Sequence, residues 1–269
     1  MKQWALAHGR AVALERPRVV AILNATPDSF YDGGEIADLE VAASRAQYAV
    51  EAGAAMLDIG GESTRPGAER VKAREQISRV VPIIETIRSH PSTRVASIPI
   101  SVDTTKSEVA AATIGAGADA INDVSGGTED PELLSVAAGA GVGLVLMHRA
   151  APPPQDRYAD EYSTEPHFEG GVVPAVRAYL AARVRAALDS GVRPECLVVD
   201  PGLGFGKNVD QNLELLRAGS GVSSEGVPVY IGASRKRFVG RVSIGSESEP
   251  SERLAGSLAA TVLGTHAGA

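Results

Sequence analysis

Polar side chains follow several apolar runs of this sequence at the points where those runs end. Asp103 follows "IPISV", Asn122 ends "DAIN" and Asp200 ends "CLVVD". Amide and carboxylate groups in such positions suit a flat, nitrogen-rich heterocycle, and the carboxylates would stabilise a cation forming on that ring in a site of low dielectric. Lys236 and Arg235, in "GASRKR", suit the opposite edge of the ring or an anion. Together these residues predict a site for an electron-poor ring.

A second group of residues suits a diphosphate. The segment "GGESTRPG" (60–67) offers backbone N–H groups, the hydroxyls of Ser63 and Thr64, and the positive charge of Arg65. An anionic leaving group beside an electron-poor ring indicates displacement of diphosphate from an activated carbon. Each feature also has a purely structural explanation. A lone Asp at a strand end is more often a helix cap or turn residue, and the segment 60–67 is equally typical of a plain turn.

Composition limits the class of protein. The chain has 269 residues, 44% of them hydrophobic, and a mean hydropathy near zero, which suits a globular protein with a sizeable core. The net charge of −7 gives no support to nucleic-acid binding, and no window approaches the roughly 18 apolar residues of a membrane span. The single Cys196 excludes an intrachain disulfide framework, and the five histidines form no zinc motif. Residues 1–18 lack the apolar block of a secretory signal, so we predict a cytoplasmic protein.

One pattern repeats along the chain: an apolar run, a polar or glycine-rich loop, and a segment of helical period. Continuous apolar runs fit parallel strands that are covered on both faces. Their alternation with helices indicates an α/β protein with a (β/α)8 TIM barrel. A doubly wound open sheet is the competing architecture, and polar loops after nearly every strand favour the barrel. The predicted strands are 19–23, 55–59, 98–102, 119–122, 143–147, 196–200 and 228–232, and the clearest helices are 38–53, 72–88 (kinked at Pro82), 174–189 and 250–264.

We predict one domain over residues 1–269, with residues 1–18 as an N-terminal extension or hairpin. No apolar run follows the helix pattern at 250–264, so the predicted barrel lacks its eighth, C-terminal strand. A barrel that is one strand short leaves unpaired backbone along an edge. We interpret the sequence as shortened before that strand, rather than as a barrel that naturally lacks it.

The motifs resemble one family when they are taken together and in order. From about residue 19 to 264 they are similar to the signature of the dihydropteroate synthases, a family of pterin-binding TIM barrels. The resemblance implies a transferase that joins p-aminobenzoate to 6-hydroxymethyl-7,8-dihydropterin diphosphate in folate biosynthesis, releases diphosphate, and is the target of sulfonamides. The matching segments are "ILNATPDSFYDGG", "DIGGESTRPGA", "PISVDTTKSEVA", "INDVSGG", "LMH", "DPGLGFGK", "GASRKRFVGR" and "ERLAGSLAA".

The resemblance also implies roles for individual residues. Asn24, at the end of the first apolar run, would bind Mg²⁺ together with the substrate diphosphate, since this ion prefers oxygen ligands and keeps several waters. The loops 25–34 and 62–68 would close over the substrates. Asp103, Asp200 and Lys236 would be the catalytic residues, with Asp103 stabilising the cation that forms on the pterin. The implied substrate-binding residues are Asp103, Asn122, Met147, Asp200 and Lys236 for the pterin, Thr64, Arg65 and Arg235 for anionic groups, and Pro66, Phe205 and Ser234 for p-aminobenzoate.

The sequence departs from the family pattern at its end. The family's last strand carries an Arg and a His in an "RVHD"-like motif that binds diphosphate, and His266 in "THAGA" does not match it. Two other functions remain open: a non-catalytic pterin-binding paralogue, and a folate-binding methyltransferase domain, which should lack the "TPDSF" and "STRPG" loops. The family is dimeric, so the resemblance implies a homodimer whose contacts involve the C-terminal helices.

Overall fold

Six parallel strands form one sheet in which each strand pairs with the next one along the chain. The computed structural model describes residues 3–25, 36–224 and 226–269. Sequential strand order is the order of a (β/α) barrel, whereas a doubly wound sheet reverses its order at a switch point, so the competing architecture is wrong. The strands are β1 (Gln3–Ala5), β2 (Ala11–Ala13), β3 (Val20–Asn24), β4 (Met56–Gly60), β5 (Ile100–Asp103), β6 (Ala120–Asp123), β7 (Gly143–Met147) and β8 (Leu197–Asp200), of which β3 to β8 form the parallel sheet.

Burial explains why the strand sequences are almost continuously apolar. Every residue of β4, β6, β7 and β8 is buried, because helices cover the outside of the sheet and side chains fill its inside. The helices connect successive parallel strands, as a right-handed crossover requires. They are α1 (Ile36–Glu51), α2 (Ala73–Arg88), α3 (Thr93–Ala96), α4 (Ser107–Gly115), α5 (Glu132–Ala140), α6 (Val172–Asp189), α7 (Val209–Ala218), α8 (Arg237–Ile244) and α9 (Leu254–His266).

The predicted helices match the observed ones within a few residues. The helix α2 continues through Pro82, as its apolar stripe predicts. The stretch predicted as one helix over 250–264 begins as a 3₁₀ turn at Pro250–Arg253 and continues as α9. Within the described ranges, no helix has the length and apolar character needed to cross a membrane.

The strand predicted at 228–232 is present only as a short bridge. Val229 pairs with Val199 in parallel, the amide of Val199 donates to Pro228 O at 3.0 Å, and the amide of Tyr230 donates to Val199 O at 2.8 Å. The segment therefore occupies the position of a seventh strand beside β8, but regular strand geometry does not extend over 228–232. The structure gives no reason why 228–232 is less regular than β3, which also pairs with one strand.

A gap separates this segment from β3. In the described part of the chain no strand pairs with the outer edge of β3. Large apolar side chains are exposed on both sides of the gap: Ile22 of β3 is 55% exposed and Tyr48 of α1 is 75% exposed. On α9, Leu258 and Val262 are exposed in the same way. A further strand and helix would cover such surfaces in a closed barrel.

A hairpin of β1 and β2 covers the N-terminal end of the barrel. Trp4 is buried and donates from Nε1 to Cys196 O at 2.7 Å. Asp119, at the start of the fourth predicted run, is fully buried and accepts from Arg10 Nη1 at 2.6 Å and from Arg88 Nη2 at 2.7 Å. The amide of Ile100 also donates to Asp119, at 2.9 Å. One carboxylate thus joins the hairpin, a helix and a barrel strand.

Replacing Asp119 with Ala should lower the free energy of unfolding by about 3–5 kcal/mol, because two arginines lose their buried partner. Urea denaturation monitored by circular dichroism measures the change. The exposed Asp189, in the last turn of α6, offers a matched control, and we expect Asp189→Ala to change the unfolding free energy by no more than about 0.5 kcal/mol. Equal effects of the two substitutions would refute the structural role of Asp119.

Candidate active site

A cavity of about 1820 Å³ opens where the parallel strands end. The carboxyl ends of parallel strands meet at one mouth, so residues far apart in sequence become neighbours there. The cavity also extends to the gap between β3 and the segment 228–232. Twelve of the residues predicted for the site line it, whereas Ser63 does not: Asn24, Thr64, Arg65, Pro66, Asp103, Asn122, Met147, Asp200, Phe205, Ser234, Arg235 and Lys236.

The orientation of the Asn122 amide is set by a residue that the sequence analysis did not select. Asn122 Nδ2 donates to Asp58 Oδ2 at 3.1 Å, and Ser101 Oγ donates to Asp58 Oδ1 at 2.6 Å. Asp58 is buried inside the barrel, and burial raises its pKa. Because Asn122 Nδ2 is bonded to Asp58, Oδ1 is the atom that the Asn122 amide offers to a ligand. The signal for Asp58 was a charged residue inside an apolar run, "AMLDI".

Asp103 has the most strongly perturbed carboxyl group of the site. Burial raises its pKa well above the usual range, and the nearby charges of Asp58, Asp123 and Glu62 raise it further, whereas Lys236 opposes the rise. Its neighbours thus make a negative charge on Asp103 costly. A positive charge developing in the cavity would relieve that cost, so Asp103 is suited to stabilise a cation.

Asp200 and Lys236 form an acid–base pair with pKa values displaced toward each other. Burial raises the pKa of Asp200 to about 6, against the effects of a hydrogen bond from Gly202 N and the charge of Lys236. Burial lowers the pKa of Lys236 to about 8, against the charges of Asp200 and Asp103. Gly202 N donates to Asp200 Oδ1 at 2.7 Å. Near neutral pH, Asp200 can accept hydrogen bonds from a ligand and Lys236 can donate them.

Apolar side chains provide a flat surface beside these charges. Met147 and Phe205 are both buried and form a small cluster with Val124. The ammonium of Lys236 lies 3.8 Å from the centroid of the Phe205 ring, a cation–π contact. The combination of a thioether, an aromatic ring and hydrogen-bonding edges suits an aromatic heterocycle.

The turn that carries Ser234, Arg235 and Lys236 is held in an unusual conformation. Arg235 has a φ of 55°, the left-handed region that non-glycine residues seldom adopt. Helix α9 and the residue before it support this turn: Arg235 N donates to Ser257 Oγ at 2.8 Å, and Arg253 Nη1 donates to Arg235 O at 3.0 Å. The "ERLAGSLAA" motif therefore fixes the backbone that positions Lys236.

The loop after β4 is fixed at both ends. Val71 N donates to Glu62 Oε1 at 2.5 Å, and Arg70 lies 3.2 Å from Glu62 Oε2. Gly67 N donates to Pro153 O at 2.7 Å, which joins this loop to the one after β7. These contacts hold the loop that carries Thr64, Arg65 and Pro66, and all three residues line the cavity. The Arg65 side chain is exposed and available to an anion.

The predicted metal ligand lies at the mouth. Asn24 ends β3, is exposed and lines the cavity. Among the described residues no group of three or more His, Cys, Asp or Glu side chains could hold a metal ion. One amide oxygen suits a hard cation that takes most of its ligands from a substrate phosphate and water. Asp28 and all but the first residue of the predicted loop 25–34 lie outside the described residues.

His148, which follows β7, does not line the cavity. It is buried, and its ring lies 4.8 Å from that of Tyr179 in an edge-to-face arrangement. Burial lowers its pKa to about 3, with a smaller effect from the charge of Lys207. The imidazole is therefore neutral and structural.

Comparisons with known proteins agree with this geometry. The profile of the family described as "Pterin binding enzyme" matches residues 20–269. The dihydropteroate synthase of Synechocystis sp. is 41% identical over 90% of this chain and 79% of its own length. Solved structures of dihydropteroate synthases from three bacteria have the same TIM-barrel fold, which confirms the predicted fold class.

Each of the three structures contains a bound ligand. The Xanthomonas albilineans enzyme with 4-aminobenzoic acid has a TM-score of 0.85 and 40% identity, covering 99% of this chain and 90% of its own. The Burkholderia cenocepacia enzyme with 7,8-dihydropteroate has a TM-score of 0.83 and 37% identity, covering 100% and 90%. The Yersinia pestis enzyme in a sulfonamide drug complex has a TM-score of 0.84 and 35% identity, covering 98% and 90%.

Proposed function

The chain belongs to the dihydropteroate synthases within the pterin binding enzyme family, and on that premise we propose how its residues bind the two substrates and carry the reaction. The enzyme is a transferase of folate biosynthesis. It condenses p-aminobenzoate with 6-hydroxymethyl-7,8-dihydropterin diphosphate, giving 7,8-dihydropteroate and diphosphate. The observation that carries the assignment of residues is the convergence of Asp103, Asn122, Asp200 and Lys236 on one cavity.

The dihydropterin would lie between these four side chains. Its pyrimidine edge presents adjacent N–H donors and ring acceptors, which a carboxylate, an amide oxygen and an ammonium complement. Met147 would pack on the flat face of the ring. In this position the ring would leave its methylene carbon toward the loops that carry Thr64 and Phe205.

The second substrate and the diphosphate would lie nearer the mouth. Phe205, Pro66 and Ser234 line the cavity together and offer an aromatic ring, an apolar ring and a hydroxyl to p-aminobenzoate. Thr64 would donate its hydroxyl to the diphosphate. Arg65 and Arg235, whose side chains are exposed, would supply positive charge to the anionic groups.

We propose Mg²⁺ as the divalent cation, held by Asn24 Oδ1 and by oxygens of the substrate diphosphate. The ion would neutralise negative charge on the leaving group. The side chains of the protein would have other roles: Thr64 and Arg65 orient the diphosphate, and Asp103 faces the carbon that becomes electron-deficient.

The chemical step would be dissociative. The bond between the pterin methylene carbon and the diphosphate oxygen breaks, and its electron pair leaves with diphosphate. Positive charge then spreads over the methylene and the ring, where the Asp103 carboxylate stabilises it. The amine nitrogen of p-aminobenzoate attacks the carbon and afterwards loses one proton to solvent. No strong base is needed at the start, since an aromatic amine is neutral at pH 7.

Incubation with both substrates and Mg²⁺ tests the proposal. We expect dihydropteroate and diphosphate to appear in equal amounts, and product formation to require p-aminobenzoate. Diphosphate release without incorporation of p-aminobenzoate would count against synthase activity, and pterin binding without turnover would favour the non-catalytic paralogue. The relatives described above are all dihydropteroate synthases, which favours the synthase over that paralogue and over a methyltransferase domain.

The pH dependence of kcat/KM should follow Asp200 and Lys236. Asp200 accepts hydrogen bonds when ionised, so a pKa of about 6 makes kcat/KM rise as the pH increases through 6. Lys236 donates when protonated, so a pKa of about 8 makes kcat/KM fall above pH 8. Steady-state rates from pH 5 to 10 measure the profile. In Lys236→Arg the alkaline limb should disappear, because arginine stays protonated throughout this range. An unchanged alkaline limb would contradict the assignment.

The proposal has three further parts: the domain organisation, the oligomeric state and the location in the cell. We propose a single domain over residues 1–269. We also propose a homodimer on the strength of the family resemblance, and light scattering at micromolar concentration tests it. A cytoplasmic location is supported by the unpaired thiol of Cys196, which suits a reducing compartment, and cell fractionation tests it.

A further inference from the structure

Lys207 is the last residue of "DPGLGFGK" and is fully buried. Its ammonium donates to Phe205 O at 2.7 Å and to Gly202 O at 2.9 Å, and it lies 3.4 Å from His148 O. All three of these partners are neutral backbone oxygens. Lys207 does not line the cavity, so the reaction described above makes no use of it.

Burying an ammonium group costs free energy, because the group loses its hydration. Burial lowers the pKa of Lys207 to about 7, against the attraction of Asp200 and Asp156. An apolar side chain of similar length would avoid the loss of hydration. Packing alone therefore does not explain a lysine in this position, whereas its hydrogen bonds to the backbone do.

The ammonium joins two loops that touch along their backbones. His148 lies in the loop after β7, whereas Gly202 and Phe205 lie in the loop after β8. The loops are so close that a Cβ atom at Gly202, whose φ is +68°, would overlap His148 O, and one at Gly206 would overlap Ala150. Among the described residues, Lys207 Nζ is the charged group that bridges the facing carbonyls.

One of these loops carries part of the proposed p-aminobenzoate site. The Phe205 ring lies against the Lys236 ammonium and next to Met147. Its carbonyl is the closest partner of Lys207 Nζ. The backbone of Asp200, in contrast, is held by the strand ladder to β7, and Lys207 reaches the Asp200 carboxylate only through its charge and through Gly202. Loss of the ammonium should therefore disturb Phe205 more than Asp200.

We propose that Lys207 is a positioning residue: its ammonium holds the loop 202–206 in the conformation that places Phe205 for p-aminobenzoate, without touching either substrate. This inference rests on the proposed function. It distinguishes the two substrates, because the p-aminobenzoate side depends on the loop and the pterin side depends mainly on the strands.

Kinetics of Lys207→Met test the inference, since methionine keeps most of the length and removes the charge. We expect KM for p-aminobenzoate to rise about 10- to 100-fold, the effect of removing hydrogen bonds made by a charged group. KM for the pterin diphosphate should rise several-fold less than that, because Lys207 reaches Asp200 only indirectly, and Lys207→Arg should recover part of the loss. The exposed Lys72 provides the control Lys72→Met, which should leave both KM values unchanged.

The possible outcomes are separable. An equal rise of both KM values, or an unchanged KM for p-aminobenzoate, would overturn the inference. If Lys207→Met does not fold, the same split between the two KM values is expected in Lys207→Arg, whose planar group fits the three carbonyls less well, and its absence there would overturn the inference. An inactive but folded wild-type enzyme would instead refute the proposed function.

Discussion

Asp103→Asn should lower kcat about 10²- to 10³-fold, the range for removing one preorganised electrostatic group from an active site. Asparagine has the shape of aspartate and can still accept a hydrogen bond, but it carries no charge. The site makes the Asp103 charge costly in the empty enzyme, through burial and through the charges of Asp58, Asp123 and Glu62. That cost is relieved only when positive charge forms on the substrate, so the loss should appear in kcat.

Single-turnover rates with both substrates at saturation measure the effect of Asp103→Asn on the chemical step. The affinity for the pterin diphosphate should change much less than kcat, by about 10-fold or less, because one hydrogen bond can persist. Asp189→Asn is the control: Asp189 is an exposed carboxylate in the last turn of α6 and does not line the cavity, so the same loss of charge there should leave kcat unchanged. Wild-type turnover in Asp103→Asn would refute the role of Asp103.

Asp200→Asn should reduce kcat/KM for the pterin diphosphate about 10²- to 10⁴-fold, the effect of losing two charge-assisted hydrogen bonds. Asp200 Oδ1 already accepts from Gly202 N, so the new amide would keep its oxygen on the loop and turn its NH2 group to the cavity. The amide donors would then face the N–H donors of the pterin. Donors facing donors lose the hydrogen bonds and leave buried polar groups unpaired.

Titration calorimetry with the pterin diphosphate and Mg²⁺, without p-aminobenzoate, isolates this binding defect. We expect Asp200→Asn to weaken binding in proportion to kcat/KM, and Asp200→Ala to weaken it at least as much. Asp189→Asn serves as the control here too and should leave pterin affinity unchanged. Undiminished affinity in Asp200→Asn would show that Asp200 does not contact the ring.

Much of the barrel can be predicted from the sequence, because strands that are buried on both faces consist of nearly continuous apolar residues. The runs that form β7 and β8 were predicted nearly to the residue. The segment 228–232 is equally apolar, yet it forms only a bridge at Val229, so an apolar run by itself does not fix the extent of a strand. The short helix α8 (Arg237–Ile244) was not predicted, because its first five residues belong to the motif "GASRKRFVGR", which was interpreted by its chemistry alone.

The site residues could be predicted from the sequence wherever the fold class alone brings them together. Strand-end residues such as Asp103, Asn122 and Asp200 must meet at the mouth of a parallel barrel, so their proximity follows from the fold class alone. Asp58 and Lys207 were missed for different reasons. Asp58 acts from inside a strand through Asn122, and the burial of Lys207 arises from the contact of two loops, which sequence periodicity does not report.

The most direct test is a crystal structure of the enzyme with 6-hydroxymethyl-7,8-dihydropterin diphosphate and Mg²⁺. We predict that the ring lies between Asp103, Asn122 and Asp200, with Met147 on its face and Lys236 at hydrogen-bonding distance from its edge. A ring bound at any other place in the cavity, with these side chains facing solvent, would contradict the account of binding and of charge stabilisation alike.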